Sequence, residues 1–166
     1  GDLLSRTLDF GRIQEHIDTG ALYAVAITCS GYSSGQSVSF YQGGPDVQAW
    51  QRTQRIGAAM PLRVEHLMAS SALPFIFPAV KINREYFGDG SMRDVAPISP
   101  TIHLGASKIL VIGAGNMGGP QRQFDQFAGY PSLAQIAGHA MSSIFLDGLS
   151  SDIERLDRIN ATLKLL

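Results

Sequence analysis

Two short stretches carry residue types that can do acyl-transfer chemistry. Gly31-Tyr32-Ser33-Ser34-Gly35 matches the pattern G-x-S-x-G. In a nucleophile elbow of that pattern, a sharp turn between a strand and a helix exposes the serine hydroxyl and aims the helix N-terminus at a developing oxyanion. Gly88-Asp89-Gly90 sets a carboxylate between two residues without side chains, where backbone can approach closely and the acid can project from a tight loop. A serine hydroxyl is inert at its own pKa, and a held, partly desolvated carboxylate within hydrogen-bond reach can activate it. The elbow signal fails on its surroundings. A strand precedes Ser33, but Gln36-Ser37-Val38-Ser39-Phe40 alternates like a second strand and holds poor helix formers where the helix should begin. Ser33 therefore reads as part of a hairpin turn, and only a helix starting after Gly35 would make Ser33 and Asp89 a self-contained hydrolase. Asp-Gly is also a common turn signal, so Asp89 needs its context.

The other chemistry-bearing residues read as structural. His16 and His139 fall within helices, His66 at a helix start and His103 in a short helix. No two of them have the i, i+4 spacing of a helical metal site, so no metal and no cofactor are expected. Cys29 is the only cysteine, which excludes a disulfide framework and points to a small buried apolar residue. Lys and Arg number 13 against 14 Asp and Glu, with no block of like charge. That balance argues against nucleic acid as a partner and against a polybasic anchor. Hydrophobic residues make up 45% of the 166 and charged residues 16%, an apolar, domain-sized composition. No run reaches the roughly 18 apolar residues of a transmembrane helix. The chain opens Gly1-Asp2-Leu3-Leu4, without Met and inside a helical pattern. The native N-terminus is thus expected elsewhere, and the compartment stays unassigned, with the cytoplasm as default.

The elements that must position these residues follow from periodicity and punctuation. Asp9 caps a helix with Phe10, Ile13 and Ile17 on one face, which Gly20 stops. Leu22 to Thr28 is an almost wholly apolar run, the mark of a strand buried on both faces, and Ser37 to Tyr41 forms a hairpin with it. Gly43 to Pro61 is expected to be a loop with some helix. A helix from Leu62 ends near Leu73 because Pro74 disfavours its continuation. Val80 to Ile82 and Tyr86 to Phe87 flank an Asn83-Arg84 turn, and Pro100 opens a short helix that Gly105 ends. Lys108 to Ile112 is again a continuous apolar strand. Residues 114–131 form a glycine-rich loop and 132–166 two amphipathic helices, the second with a capping box at Ser151-x-x-Glu154. Strands separated by helices predict a mostly parallel sheet with helices on both faces.

The block around Asp89 supplies the context. His66-Leu67-Met68-Ala69-Ser70-Ser71-Ala72-Leu73-Pro74-Phe75-Ile76-Phe77-Pro78-Ala79-Val80, followed by Tyr86-Phe87-Gly88-Asp89-Gly90-Ser91, resembles the segment that carries the catalytic aspartate in patatin-like phospholipases. Ala96 to Ala106 resembles the family's next helix, and Leu22 to Phe40 its strand, turn and strand. The resemblance covers roughly residues 1–113. It implies a three-layer α/β/α fold, of which this chain is the C-terminal portion, and a serine–aspartate dyad with no histidine. Asp89 would be the catalytic aspartate, with Gly88 and Gly90 supporting its loop and leaving room for the serine. The G-x-S-x-G elbow and the glycine-rich oxyanion loop would lie upstream. Ser91 stands where the family more often has Gly or Ala. The implied activity is hydrolysis of acyl esters of lipids, with transient contact at a membrane surface. The alternative is a non-catalytic remnant that binds lipid or a partner. By itself the chain is expected to be inactive and to self-associate through bare apolar surface.

Overall fold

A computed structural model of the chain describes residues 2–93, 97–112, 132, 133, 136 and 153–164. It divides into two compact units, Gly1–Ser107 and Lys108–Leu166. The first begins with α1 (Asp2–Thr7) and α2 (Gly11–Asp18). The Asp9 carboxylate accepts from the amide of Gly11 (3.0 Å) at the start of α2, and Gly20, at φ +71°, ends the turn after it. The strands β1 (Ala24–Gly31) and β2 (Ser37–Gly43) form the expected hairpin, with Ile27 opposite Phe40 and Cys29 opposite Val38.

Gly43 to Pro61 departs from expectation. It contains no helix; it holds β3 (Trp50–Arg52) and β4 (Arg55–Ala59), an antiparallel pair. Its turn is built on Thr53 and Gln54, with Gln54 at φ +61°, a left-handed position where Gly or Asn would have announced the turn. After it come α3 (Val64–Ser70), the hairpin β5 (Val80–Ile82) and β6 (Glu85–Asp89), a 3-10 turn (Gly90–Met92) and α4 (Ser99–His103). The six strands make one mixed sheet in the order β3-β4-β2-β1-β6-β5, with helices packed on it, consistent with an incomplete α/β fold. Contrary to the mostly parallel expectation, among the described residues only β2 and β4 run parallel; the other pairings are antiparallel. For β1–β2, β3–β4 and β5–β6 the short hairpin connections explain this, since parallel neighbours need a long crossover; β1 and β6 are antiparallel although far apart in the chain.

Alternation along the strands divides the side chains between two faces. On one, Cys29, Val38, Phe40, Ile82 and Phe87 form a buried cluster with Leu62 and Ala69 of the α3 segment, flanked by Phe10 and Ile13 from the α2 region. Phe40 meets Phe87 edge-on at 5.2 Å, a favourable arrangement for aromatic pairs. The other face is more polar. Thr28 and Ser39 share a hydrogen bond of 2.9 Å across the β1–β2 pair, and Ser30, Ser37 and Ser39 are buried. There Tyr41 stacks on Trp50 and Trp50 on His103, at 5.2 and 4.9 Å, which seats α4 against the β3–β4 edge. The early part of β1, Ala24–Thr28, is only half-buried, less enclosed than its apolar composition suggested.

The second unit gives less. Residues 108–112, expected as a strand, have no strand pairing, and Leu110 and Ile112 are 86% and 89% exposed. An apolar run becomes a strand only where a neighbouring strand takes up its amides and carbonyls, and among the described residues none pairs with it. The glycine-rich loop, the Ser151 cap and most of the first C-terminal helix lie outside the described residues. Residues 153–163 are helical, with Ile159 and Leu163 exposed.

The stack on Trp50 sets a strict demand. A Cβ on Gly57, the register partner of Trp50, would fall 2.3 Å from its indole ring. Gly57→Ala must push the ring off the strand, at a cost of about 1–3 kcal/mol. Chemical denaturation should show a lower midpoint at unchanged slope; an unchanged midpoint would mean that Trp50 does not lie across Gly57.

Candidate active site around Asp89

Asp89 is the last residue of β6, an inner strand, rather than part of an edge loop as the tight Gly-Asp-Gly sequence suggested. It pairs with Cys29 of β1, so its side chain leaves the sheet on the same face as the Cys29 thiol. The β5 ladder has already ended at Val80–Phe87. On that side the Asp89 amide instead donates to the carbonyl of Ala72, just past α3, at 3.0 Å. The α3 segment and the strand bearing the acid are thus tied directly together.

The carboxylate caps the turn that follows. Oδ1 accepts from the Ser91 amide at 2.9 Å and from the Ser91 hydroxyl in a very short contact. Among the described residues Oδ2 receives no hydrogen bond, and none offers Asp89 an ion pair. The two flanking glycines are filled by the chain itself. A Cβ on Gly90 would stand 2.3 Å from the carbonyl oxygen of Thr28, backbone against backbone, and one on Gly88 would stand 2.5 Å from the Tyr32 hydroxyl. Ser30 Oγ donates to the Gly90 carbonyl at 3.2 Å. These glycines therefore allow the turn to lie flat on β1 and under Tyr32.

Ser33 lies where the sequence put it, in a turn leading into β2, with no helix after Gly35. The amides of Ser33 and Ser34 both donate to Oε1 of Glu85, at 2.9 and 2.6 Å. The donors that an elbow would aim at an oxyanion are committed to a carboxylate here, which is incompatible with that role. Glu85 was not singled out from the sequence, and no local signal could have found it, since it lies some fifty residues away along the chain. The Ser91 hydroxyl was likewise seen only as a departure from a pattern.

Beneath the site lie two buried groups. Cys29 is fully enclosed and its thiol lies 3.5 Å from the carbonyl of His66. Burial, and secondarily the nearby charge of Asp89, push its pKa up to about 12. The thiol is inert, as the sequence implied. His66 is 3% exposed and edge-on to Phe40 at 4.9 Å. Its Nδ1 accepts from the Arg63 amide at 3.0 Å, capping the start of α3, while Nε2 is buried with no partner among the described residues. Burial lowers its pKa, only partly opposed by the Arg63 backbone contact and by Glu65. His103 serves the aromatic stack. Among the described residues no three His, Cys, Asp or Glu side chains are grouped to hold a metal ion, and no helix is long and apolar enough to cross a membrane.

Two measurements check this basement of the site. Cys29 should react with a thiol reagent at pH 8 only as fast as the chain unfolds; immediate reaction in native buffer would mean that it is not enclosed. For His66 the folded pKa lies below the unfolded one, so the unfolded state takes up the extra proton in acid. The stability that neutral His66 gives is complete above the ordinary value of 6.5 and is lost as pH falls through and below it. The denaturation midpoint should drop between pH 7.5 and 5.5, and the drop should shrink in His66→Gln.

With that geometry in view, one comparison is informative. Residues 61–102 match the family model described as Patatin-like phospholipase; no curated protein and no solved structure gives a match. The matched stretch is under a third of the chain, but it runs from the approach to α3 through the β5–β6 hairpin and the Asp89 turn into α4. Over the segment that builds the candidate site, the chain matches the family that its sequence resembles, the patatin-like phospholipases, a family of lipid acyl hydrolases in general.

Proposed function

We propose that this chain supplies the general base of a serine–aspartate dyad in a lipid acyl hydrolase, with Asp89 as the base. The observation that carries the reading is the placement of Asp89. It ends β6 within the family-matched segment, one carboxylate oxygen is fixed by the turn it caps, and the other has no hydrogen bond among the described residues. A carboxylate held by one oxygen presents the second in a fixed direction, as a base must. The environment of Ser33, with its neighbouring amides on Glu85, favours a nucleophile elsewhere, on an elbow outside these 166 residues.

The chemistry then runs as an acyl transfer. The serine hydroxyl attacks the ester carbonyl while Asp89 Oδ2 takes its proton, and the proton passes to the departing alcohol or lysolipid oxygen as the acyl-enzyme forms. Water, deprotonated by the same carboxylate, attacks the acyl-enzyme; the C–O bond to serine breaks, the proton returns from Asp89 to the serine oxygen, and the fatty acid leaves. Ser91 holds Oδ1 throughout and keeps the carboxylate from rotating.

Asp89→Asn is nearly isosteric and keeps an oxygen for the Ser91 contacts, but it cannot take a proton. In the protein that contains both this chain and the elbow, turnover of a short-chain ester should fall by a factor on the order of 10⁴ to 10⁶ with the fold retained. Near-normal turnover would sink the dyad and favour the reading of the chain as a lipid- or partner-binding module. The 166-residue chain alone should be silent toward a p-nitrophenyl ester, and clear activity there would return the nucleophile to within its bounds.

A further inference from the structure

The loop between α3 and β5 turns its largest apolar side chains outward. Phe75 is 101% exposed, Ile76 61% and Phe77 57%. Consecutive large apolar residues on a protein surface call for an occupant. The loop is also built rather than loose. The amides of Ile76 and Phe77 both donate to the Leu73 carbonyl, at 3.2 and 2.9 Å. Phe75 is held at φ +66°, a left-handed conformation that side-chain-bearing residues rarely adopt, and that twist presents the ring outward. At its start, the loop follows Ala72, whose carbonyl binds the Asp89 amide. At its end, Val80 pairs with Phe87, two residues before Asp89.

We infer that this loop is the contact between the protein and a lipid–water interface, with Phe75, Ile76 and Phe77 entering the acyl boundary beside the Asp89 end of the sheet. Area and charge select this occupant. The three side chains offer roughly 400 Å² of apolar surface, against the roughly 800 Å² per partner of a stable protein interface. A second copy of the chain would be held poorly by so small a tip. A bilayer needs no complementary surface and accepts isolated aromatic and aliphatic tips. The adjoining hairpin adds the flanking chemistry an interface favours. Lys81 and Tyr86 are exposed side by side, with Nζ 5.9 Å from the ring centre, and Arg84 is exposed at the hairpin turn. The only acid of that hairpin before Asp89, Glu85, is engaged by the Ser33 and Ser34 amides. Lys81 and Tyr86, one residue beyond the Val80–Phe87 pair where the loop joins the hairpin, suit anionic headgroups, while Arg84 stands at the hairpin's far turn. The inference rests on the acyl-ester reading for its biological sense, but its test does not depend on catalysis.

The test is co-sedimentation of the 166-residue chain with vesicles of phosphatidylcholine, alone and mixed with phosphatidylglycerol. Binding is expected to both and to be stronger with the anionic lipid. Phe75→Ser/Phe77→Ser should weaken it by about tenfold or more with an unchanged circular dichroism spectrum, and Lys81→Ala should reduce only the preference for phosphatidylglycerol. In a Phe75→Trp variant, the indole emission gained over the wild type should shift to the blue when vesicles are added. Equal binding by the double serine variant, an unshifted emission from the Phe75→Trp variant, or sedimentation as a protein oligomer without lipid would overturn the inference. Asp89→Asn should bind vesicles as the wild type does, so failure of the dyad and failure of the interface would be told apart.

Discussion

Everything in the first unit hangs on β1. This strand accepts β2 on one side and β6 on the other, and at Cys29 both registers meet, with Val38 opposite on one flank and Asp89 on the other. Cys29 is also fully enclosed and touches the carbonyl of His66. One residue thus fixes the depth at which α3 sits and the height at which the acid emerges. A slip of β6 by one residue would send Asp89 to the opposite face and Gly88 into the core. The tight contact of Gly90 with the Thr28 carbonyl excludes that slip, since any side chain moved into that place would collide with backbone.

The second device is the placing of carboxylates in turns. Asp89 closes its own turn through Ser91, and Glu85 closes the Ser33 turn of a different hairpin. Both acids satisfy backbone amides that would otherwise face water, and both connect β6 to its surroundings. The difference lies in what remains. Glu85 is consumed by a structural task, whereas Asp89 divides its two oxygens between a structural bond and the open direction on which the proposed chemistry relies. In the proposed reading, that division is how a rigid scaffold would hold the base.

The parts of this fold that were legible in the sequence are those where local chemistry and tertiary need agree. The β1–β2 hairpin, the Asn83-Arg84 turn and the α3 segment all announce themselves through alternation or turn residues. Trp50–Arg52 and Arg55–Ala59 did not, because each is short, joined through Thr53-Gln54 with no Gly, Asn or Pro at the turn, and stabilised by Trp50 lying across Gly57. The run at 108–112 failed in the opposite direction: its composition is right for a strand, but pairing is a tertiary property that composition cannot supply. At the candidate site, Asp89 stood out by its flanking pattern, the bond from Ser91 depends on how the turn closes, and the role of Glu85 depends on a contact between two hairpins.

The two outer strands have a bearing on behaviour at high concentration. β3 and β5 are each only three residues long and carry an exposed cation, Arg52 in one and Lys81 in the other. A short border with a positive charge offers an incoming strand little to zip onto, and two such borders repel when they meet. The sheet is therefore guarded against growth into ribbons, although among the described residues neither β3 nor β5 has a strand on its outer side. Any clustering of copies should be of the soft, detergent-sensitive kind that greasy tips produce, and should not seed fibrils.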